Sequence, residues 1–370
     1  MQAATYQTPI PYSDDIEHRP EGEDETIDKI ISSMSHESAK VAEREGHTVR
    51  ASHAKASAVL KGQLRVIDGL PAELRQGLFA EPRTFNVAVR LAQGPGENLS
   101  DSVSTHRGMA IKVFGVEGPK LPGHENETTQ DFVFATGPVF PNADAAGFLG
   151  AIKGLEGGAG GTMPDAVKTA VSATAGTLNK VVKAVTGGDS PLLDFFGHAP
   201  RHPLVDCYYS QAALRYGDYV AKIVAVPVAP GQDALSRDPL DTSENPNTFR
   251  DATVEYFRNN NAEFEIRVQL CTNLDTMPVE DASVQWPEEE SPYRPVARLM
   301  LPRQDAMSEA RRIFFNEGMS FRPSHSLAAH RPLGSLMRAR LRTYPALVKF
   351  RQGRNGNTTI EPTSLEQIPD

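Results

Sequence analysis

The spacing of hydrophobic and polar residues predicts a chain built mainly from β-strands, with helices between them and near both ends. Apolar and polar residues alternate through TFNVAVRL, as in a strand with one buried face. Further strands are predicted for ASAVLKGQLRVID, RGMAIKVFGVEG, QDFVFATG, QAALRYGDYVAKIVAVPVA, AEFEIRVQL and YRPVARLML. Few of these strands alternate with helices in regular β-α-β units, which favours an antiparallel sheet over a parallel one.

Helical spacing of apolar residues occurs in five segments. SHESAKVAERE predicts a short helix, and PAELRQGLF (71–79) predicts a helix with proline at its first position. NADAAGFLGAIKGLE (142–156) and the amphipathic segment 164–187 predict two more. RPLGSLMRARLRTYPALVKFRQ predicts a C-terminal helix that either ends near Pro345 or continues past it.

Together these elements predict an α+β fold in which helices pack outside an antiparallel β-core. Residues 1–28 are polar, acidic and rich in proline, so we expect an extended N-terminal arm. Residues 29–370 are expected to form a single domain with a helical excursion over about 141–200. A chain of 370 residues is compatible with this organisation, since β-barrels with long excursions reach that length as one domain.

Composition and charge narrow the class of protein. Hydrophobic residues make up 39% of the chain and charged residues 23%, as in globular proteins. The net charge of −9 argues against a nucleic-acid partner, because phosphate binding needs a basic face. The chain has no run of 18 apolar residues and no basic segment followed by an apolar one at its start, so we expect neither a transmembrane span nor a secretory signal. Cys207 and Cys271 lie in unrelated contexts, which fits a reducing compartment and a cytoplasmic protein.

Two short segments contain residues that could carry chemistry. In VRASHAKA, His53 lies between small residues, with Arg50 three positions upstream. By itself this pattern favours a core histidine over a residue that transfers protons. In the C-terminal helix, Arg340 and Tyr344 are four residues apart and therefore share one face. A guanidinium beside a phenol favours the phenolate, which is a ligand for ferric iron, although an ordinary core tyrosine gives the same spacing.

Four blocks occur in an order that resembles the haem catalase family, across about 300 residues. VRASHAKA resembles the distal segment of that family, and VAVRLAQGPGENLSDSVSTHRGMAIKVFGVEG resembles the pair of strands that follows it. GPVFPNADAAGF resembles the segment whose phenylalanine stacks on the porphyrin, and RARLRTYPALVKFR resembles the proximal helix. The resemblance implies a catalase-like antiparallel β-barrel with helices outside, and a haem buried between the barrel and the C-terminal helix.

The resemblance also implies a role for each matching residue. His53 would be the distal acid and base. Tyr344 would be the axial ligand of the iron of haem b, since catalases use a tyrosine there. Arginines bind the propionates of haem, because guanidinium groups form charge-assisted pairs with carboxylates. The residues implied to hold the cofactor are Arg50, Arg90, Phe148, Arg340, Tyr344 and Arg351.

The sequence departs from catalases on the distal side of the implied haem. The asparagine that helps to hold hydrogen peroxide is replaced by Ala135 or Thr136, depending on the alignment, and the serine that bonds to the histidine is replaced by Ala92. Ser52 resembles the hydroxyl residue found there in catalase-related enzymes that rearrange fatty-acid hydroperoxides. We therefore consider Ser52 and Thr136, with His53, as candidate catalytic residues. The short chain also resembles the compact, catalase-related haem proteins.

These departures favour a haem-dependent oxidoreductase that cleaves the O–O bond of organic or fatty-acid hydroperoxides, by peroxidase or rearrangement chemistry. Two alternatives stay open: a compact catalase or peroxidase that uses hydrogen peroxide, and a non-catalytic haem-binding protein. By resemblance we expect a homo-oligomer of two or more chains. The remaining histidines show no metal-ligand spacing, and among them His330 is a candidate for contact with the haem edge because it lies just before the proximal helix.

Overall fold

The computed structural model of the protein describes residues 6–159, 165–186, 190–235 and 238–370. The described residues form nine strands: β1 (Ala56–Val66), β2 (Thr84–Gln93), β3 (Arg107–Phe114), β4 (Thr129–Thr136), β5 (Tyr208–Tyr209), β6 (Leu214–Tyr216), β7 (Tyr219–Pro227), β8 (Ala262–Leu270) and β9 (Arg294–Leu301). They also form eight α-helices: α1 (Glu23–Glu45), α2 (Ala145–Ala159), α3 (Asp165–Thr186), α4 (Pro191–Gly197), α5 (Pro230–Asp233), α6 (Thr248–Asn259), α7 (Glu309–Ile313) and α8 (Ser335–Asn355).

Eight of these strands close into an antiparallel barrel. The strands follow one another in the order β5-β4-β3-β2-β1-β9-β8-β7, and pairing of β5 with β7 closes the ring. The ninth strand, β6, forms a hairpin with β7. Irregularities in the β1–β2 and β8–β9 pairings interrupt the register, and such bulges help a sheet to bend into a closed barrel. The predicted α+β class, with an antiparallel barrel and helices outside it, is confirmed.

Alternation along the strands separates a barrel core from an outer face. Leu91 on β2 and Met109 on β3 are buried in the barrel core. Their neighbours Ala92 and Gly108 project to the opposite face, where Ala92 pairs with Gly108 and Gly108 pairs with Ala135 on β4. Three small residues therefore lie side by side on the outside of the barrel, which leaves space between the barrel and the helices that cover it.

Three helices cover this side of the barrel. Ile27 and Ile30 of α1 pack with Ala145 and Leu149 of α2 and with Ala339 of α8 in one buried apolar cluster. The cluster holds together helices that are far apart in the sequence. None of the described helices has the length and the apolar character to cross a membrane.

The N-terminal helix begins earlier than its sequence pattern predicts. Helix α1 starts at Glu23, so the extended arm ends near residue 22 rather than at residue 28, and its residues 1–5 lie outside the described part of the chain. Three acidic residues occupy the first turn, where negative charge is favourable to the helix dipole. Glu23 is also buried against Arg338 of α8, with 2.8 Å between Oε2 and Nε. This contact between distant segments was not visible in the local pattern.

Two other local predictions need correction. Segment 71–79 forms turns and a short 3₁₀ helix, not an α-helix, because Leu78 and Phe79 pack into the barrel core and the Leu78 N–H donates to His330 Nε2. The long strand predicted for QAALRYGDYVAKIVAVPVA is the hairpin of β6 and β7, which turns at Gly217 with a φ of 63°. Helix α6 was not predicted at all.

The helical excursion over 141–200 contains α2, α3 and α4, although residues 160–164 and 187–189 of that stretch lie outside the described residues. Helix α8 continues past Pro345 and ends before Gly356, which settles the alternative left open by the sequence. One proline in the helix removes a single backbone hydrogen bond, and tertiary packing of α8 tolerates that loss.

Candidate active site

A cavity of about 440 Å³ lies between the outer face of the barrel and helices α1, α2 and α8. This volume falls in the range of small-molecule and cofactor sites. Its barrel side includes the three small residues Ala92, Gly108 and Ala135. The residues predicted for the site that line this cavity are Arg50, Ser52, His53, Arg90, Phe148, Arg340, Tyr344 and Arg351.

The backbone of His53 has an unusual conformation. Its φ is 54°, in the left-handed region that residues with a side chain seldom adopt. Two hydrogen bonds hold it there: the His53 N–H donates to the Gly94 carbonyl at 2.9 Å, and Arg90 Nη1 donates to the His53 carbonyl at 2.7 Å. Strained backbone of this kind concentrates at functional sites, where the surrounding contacts stabilise it.

The His53 ring is oriented as a proton acceptor. Its Nδ1 lies 3.1 Å from the Gln93 carbonyl oxygen. A carbonyl can only accept, so Nδ1 carries the ring proton and Nε2 keeps the free electron pair. Burial lowers the pKa of His53 well below 6.5, and His106 and the positive charges of Arg90 and Arg340 lower it further. The imidazole is therefore neutral at physiological pH and able to take up a proton.

Gly108 makes room for this ring. A Cβ atom at position 108 would lie 2.7 Å from His53 Cε1 and 2.8 Å from His53 Nδ1. Carbon atoms in contact are normally about 3.5–4.0 Å apart. Glycine is thus required on β3 for the imidazole to lie against the barrel.

Three arginines approach one end of the cavity. Arg50 extends from the segment before β1, Arg90 lies on β2, and Arg351 lies near the end of α8. Arg90 and Arg351 are each only 4% exposed. Arg50 Nη2 donates to the Phe315 and Met319 carbonyls, at the end of a short π-helical turn.

These guanidinium groups keep unused donors. Nε of Arg50, Nε of Arg90, and both Nε and Nη2 of Arg351 are buried without a hydrogen-bond partner. Within the part of the chain that the structure describes, none of the three forms an ion pair with a carboxylate. Burial lowers the pKa of Arg90 to about 9, with a further contribution from Arg351, and the pKa of Arg50 is lowered by burial and by the other two arginines. Such a cluster favours a ligand with negative charge.

Tyr344 and Arg340 form a pair on α8, which is the helical wall of the cavity. Arg340 Nη2 donates to Tyr344 Oη at 2.8 Å, and its guanidinium carbon lies 5.2 Å from the centre of the phenol ring. A charged donor stabilises negative charge on the oxygen that accepts from it. The neighbours on α8 predicted from the sequence spacing therefore do contact one another at the cavity.

Aromatic rings complete the lining. Phe148 of α2 meets Phe140 edge to face, with 5.5 Å between ring centres, and both line the cavity. His106 and Phe195 also line it, and the two rings stack with 3.9 Å between their centres. His106 lies edge-on to His53 at 5.5 Å, and burial lowers its pKa to about 4. The sequence analysis did not single out His106, although its place directly before β3 puts it beside the predicted site.

The two candidate hydroxyl residues differ in position. Ser52 is an exposed residue on the cavity rim, and its Oγ donates to the Gly94 carbonyl at 3.3 Å. Thr136 does not line the cavity: it is buried, and its Oγ accepts from the Arg107 N–H at 3.0 Å. Thr136 is therefore not placed for catalysis, because Ala135 occupies the position on β4 that faces the cavity.

His330 does not lie at the cavity either. It is buried among Phe79, Phe132 and Tyr216, and its Nε2 accepts from the Leu78 N–H at 2.8 Å. The expected contact with a haem edge is thus wrong, and His330 is a core histidine.

Comparison with known proteins identifies the fold. No protein-family model and no curated protein matches the sequence. Among solved structures, a fungal catalase matches with a TM-score of 0.59 and 19% identity over 85% of this chain and 62% of its own. Catalase A from Saccharomyces cerevisiae matches with a TM-score of 0.59 and 17% identity over 96% of this chain and 69% of its own.

A bacterial catalase matches with a TM-score of 0.57 and 17% identity over 85% of this chain and 60% of its own. The chain thus spans between 60% and 69% of the length of these three catalases. At such low identity the likeness concerns architecture alone. On that basis, this chain has the fold of the catalases.

Proposed function

We propose that the cavity binds an iron porphyrin, haem b, and that the protein is a hydroperoxidase for organic or fatty-acid hydroperoxides. The observation that carries this proposal is the set of buried, unpaired nitrogens on Arg50, Arg90 and Arg351. A buried donor without a partner is costly, and two propionate groups would supply acceptors of the opposite charge. The residues present fit the cofactor.

The remaining lining residues fit the same group. Tyr344 would bind the iron, since Arg340 donates to the oxygen that would carry the negative charge. Phe148 and Phe140 supply apolar ring surface in the same cavity. When bound, the haem iron would supply the redox chemistry of O–O cleavage.

The chain itself contributes proton transfer. His53 Nε2, whose lone pair is directed by the Nδ1 bond to Gln93, would accept the proton of a hydroperoxide. The same nitrogen would then return the proton to the oxygen that stays on the carbon chain. In the peroxidase reaction an external reductant would supply two electrons and the product would be an alcohol. In the rearrangement the carbon chain of the substrate would itself be oxidised, so no reductant is needed. The lowered pKa of His53 keeps the ring neutral, which is the form that this step needs.

The distal surroundings support an organic substrate rather than hydrogen peroxide. Near His53 the lining includes Ala92 and Ala135. Their methyl groups take the place of the serine hydroxyl and the asparagine amide that the resemblance to catalases implies at these positions. Gln211 also lines the cavity, but its Nε2 donates to backbone carbonyls, including that of Val139 at 2.9 Å. Apolar surface beside the acid and base suits a hydroperoxide with a carbon chain.

The first experiment tests whether Tyr344 binds the iron. Haem-loaded protein is compared with Tyr344→Phe and with Tyr6→Phe, a control at a tyrosine that is 47% exposed. We expect a high-spin ferric spectrum that Tyr344→Phe abolishes or strongly shifts and that Tyr6→Phe leaves unchanged. Failure of the wild-type chain to take up haem would refute the proposal.

The second experiment separates the substrates. Loss of conjugated-diene absorbance from a linoleate hydroperoxide and oxygen release from hydrogen peroxide are followed with the same protein. We expect rapid diene loss with little oxygen, abolished by His53→Ala and unaffected by His18→Ala at an exposed histidine. Vigorous oxygen release would identify a compact catalase instead, and haem binding without either reaction would identify a haem-binding protein. A homo-oligomer and a cytoplasmic location stay predictions, and sedimentation of the purified protein tests the first.

A further inference from the structure

A second cluster of chemically competent side chains lies outside the cavity. His124 and Glu127 belong to the turn that joins β3 to β4, and His325 belongs to the segment that leads to α8. One donor atom from each lies within 4.8 Å of the other two. We propose that these three residues form a binding site for a divalent transition-metal ion of the zinc type.

The strongest support is a pair of buried atoms that have no partner. His325 is 2% exposed, and its Nε2 has no hydrogen bond; Glu127 Oε2 is likewise buried and unbonded. The two atoms are 3.7 Å apart, too far for a hydrogen bond. Zinc bonds of about 2.0–2.1 Å place neighbouring tetrahedral ligands roughly 3.3 Å apart, so a small side-chain movement would let both atoms bind one ion.

The surroundings of His325 match those of metal-binding histidines. Its Nδ1 lies 2.9 Å from Asp131 Oδ2, which directs the free electron pair of Nε2 toward Glu127. Ligating histidines typically donate their other ring N–H to a carboxylate in this way. Lys112 lies 3.1 Å from the same Nδ1, but its ammonium group binds both oxygens of Asp131, at 2.8 and 2.9 Å. The Asp131–Lys112 pair is neutral overall and leaves Nε2 available.

The third ligand is close and reachable from solvent. His124 Nδ1 lies 2.7 Å from Glu127 Oε1, and its ring meets that of His325 at 5.5 Å. A metal ion would replace the proton shared by His124 and Glu127. The side chains of His124 and Glu127 are 21% and 34% exposed, so an ion can reach the site and keep water as a fourth ligand.

The types of ligand atom at this site determine which metal ions it would bind. Two imidazole nitrogens and one carboxylate oxygen suit Zn²⁺ and related transition metals, whereas Mg²⁺ and Ca²⁺ prefer oxygen ligands throughout. A bound ion would tie the β3–β4 turn to the segment before α8. Binding to the folded state alone would also raise the melting temperature.

The test is equilibrium dialysis of the full, untagged chain against Zn²⁺, with zinc measured by elemental analysis and a parallel arm in Mg²⁺. We expect one zinc per chain and no retained magnesium. His124→Ala, Glu127→Gln and His325→Ala should each weaken zinc binding at least about 100-fold, since the loss of a mere supporting partner costs about 10- to 100-fold. His36→Ala, at an exposed histidine of α1, is the matched control and should bind as the wild type does.

Three results would overturn the proposal: a wild-type chain that retains no zinc, binding that survives all three ligand substitutions, or an equal loss in His36→Ala. The first would show that the cluster is an ordinary ion-paired network. If His325→Ala does not fold, His124→Ala decides the question, because His124 lies on the β3–β4 turn with 21% of its side chain exposed. Zinc is counted as an element, so the outcome is independent of haem binding and of the function proposed above.

Discussion

Replacing Gly108 by alanine should remove most of the proposed hydroperoxidase activity while leaving the proposed haem binding and the fold in place. The added Cβ atom would lie 2.7 Å from His53 Cε1 and 2.8 Å from His53 Nδ1. A carbon–carbon contact needs about 3.5–4.0 Å, so the imidazole must retreat by about 1 Å. That movement stretches the 3.1 Å bond from Nδ1 to the Gln93 carbonyl, which orients the proton-accepting nitrogen.

The expected loss follows from the size of this displacement. A positioned acid or base contributes about 100- to 10,000-fold to a rate, and a misplacement of about 1 Å can cost about 100-fold. We therefore expect kcat for a fatty-acid hydroperoxide to fall about 100-fold in Gly108→Ala, with a smaller effect on KM.

The assay is steady-state loss of conjugated-diene absorbance, normalised to the haem content of each preparation. Gly150→Ala on α2 is the matched control, because a Cβ there would meet no atom within 4 Å. Circular dichroism shows whether each variant is folded. A folded, haem-loaded Gly108→Ala protein with the wild-type kcat would refute the view that His53 acts from its place against β3.

Three further predictions concern charge. Arg351→Met should weaken haem binding about 10- to 100-fold, as expected for the loss of one charge-assisted hydrogen bond. It should also raise the unfolding free energy of the haem-free protein, because it removes a buried, unpaired charge. Arg354→Met, at an exposed arginine of the same helix, should change neither quantity. Because the pKa of His53 lies well below 6.5, kcat should hold as the pH falls from 7 through 6.5 and decline only at more acidic pH; a midpoint at 6.5 in the pH profile would contradict this. Burial by itself would lower the pKa of His198, but Asp206 and Asp194 raise it to about 9. The charged His198 therefore stabilises the fold fully below pH 6.5, and this stabilisation disappears as the pH rises to about 9. Denaturant titrations should show the unfolding free energy falling over that pH range in the wild type and falling less in His198→Gln.

Much of the barrel could be predicted locally, because alternation is a property of neighbouring residues. The segment AEFEIRVQL coincides with β8, Ala262–Leu270, since every second side chain there must be buried. The elements that were mispredicted depend on distant partners. Glu23 starts α1 early against Arg338, and Leu78 leaves helical geometry to donate to His330. Such contacts have no signal within a short window of sequence.

The candidate site, like the fold, could be predicted from the sequence only in part. Ordered motifs were enough to predict that His53, Tyr344 and the three arginines would meet at one cavity, as they do. The motifs could not decide between Ala135 and Thr136, because a shift of one residue along a strand sends a side chain to the other face.

By itself, then, the sequence determined the kinds of element in this protein and the chemical groups available to its site. Only the tertiary structure decided which atoms meet. It placed the His53 ring against Gly108, left Nε and Nη2 of Arg351 without partners, and brought His124 to His325 across about 200 residues. Closure of the barrel and packing of α8 produce these contacts, since they depend on the register and position of whole elements rather than on the preferences of single residues.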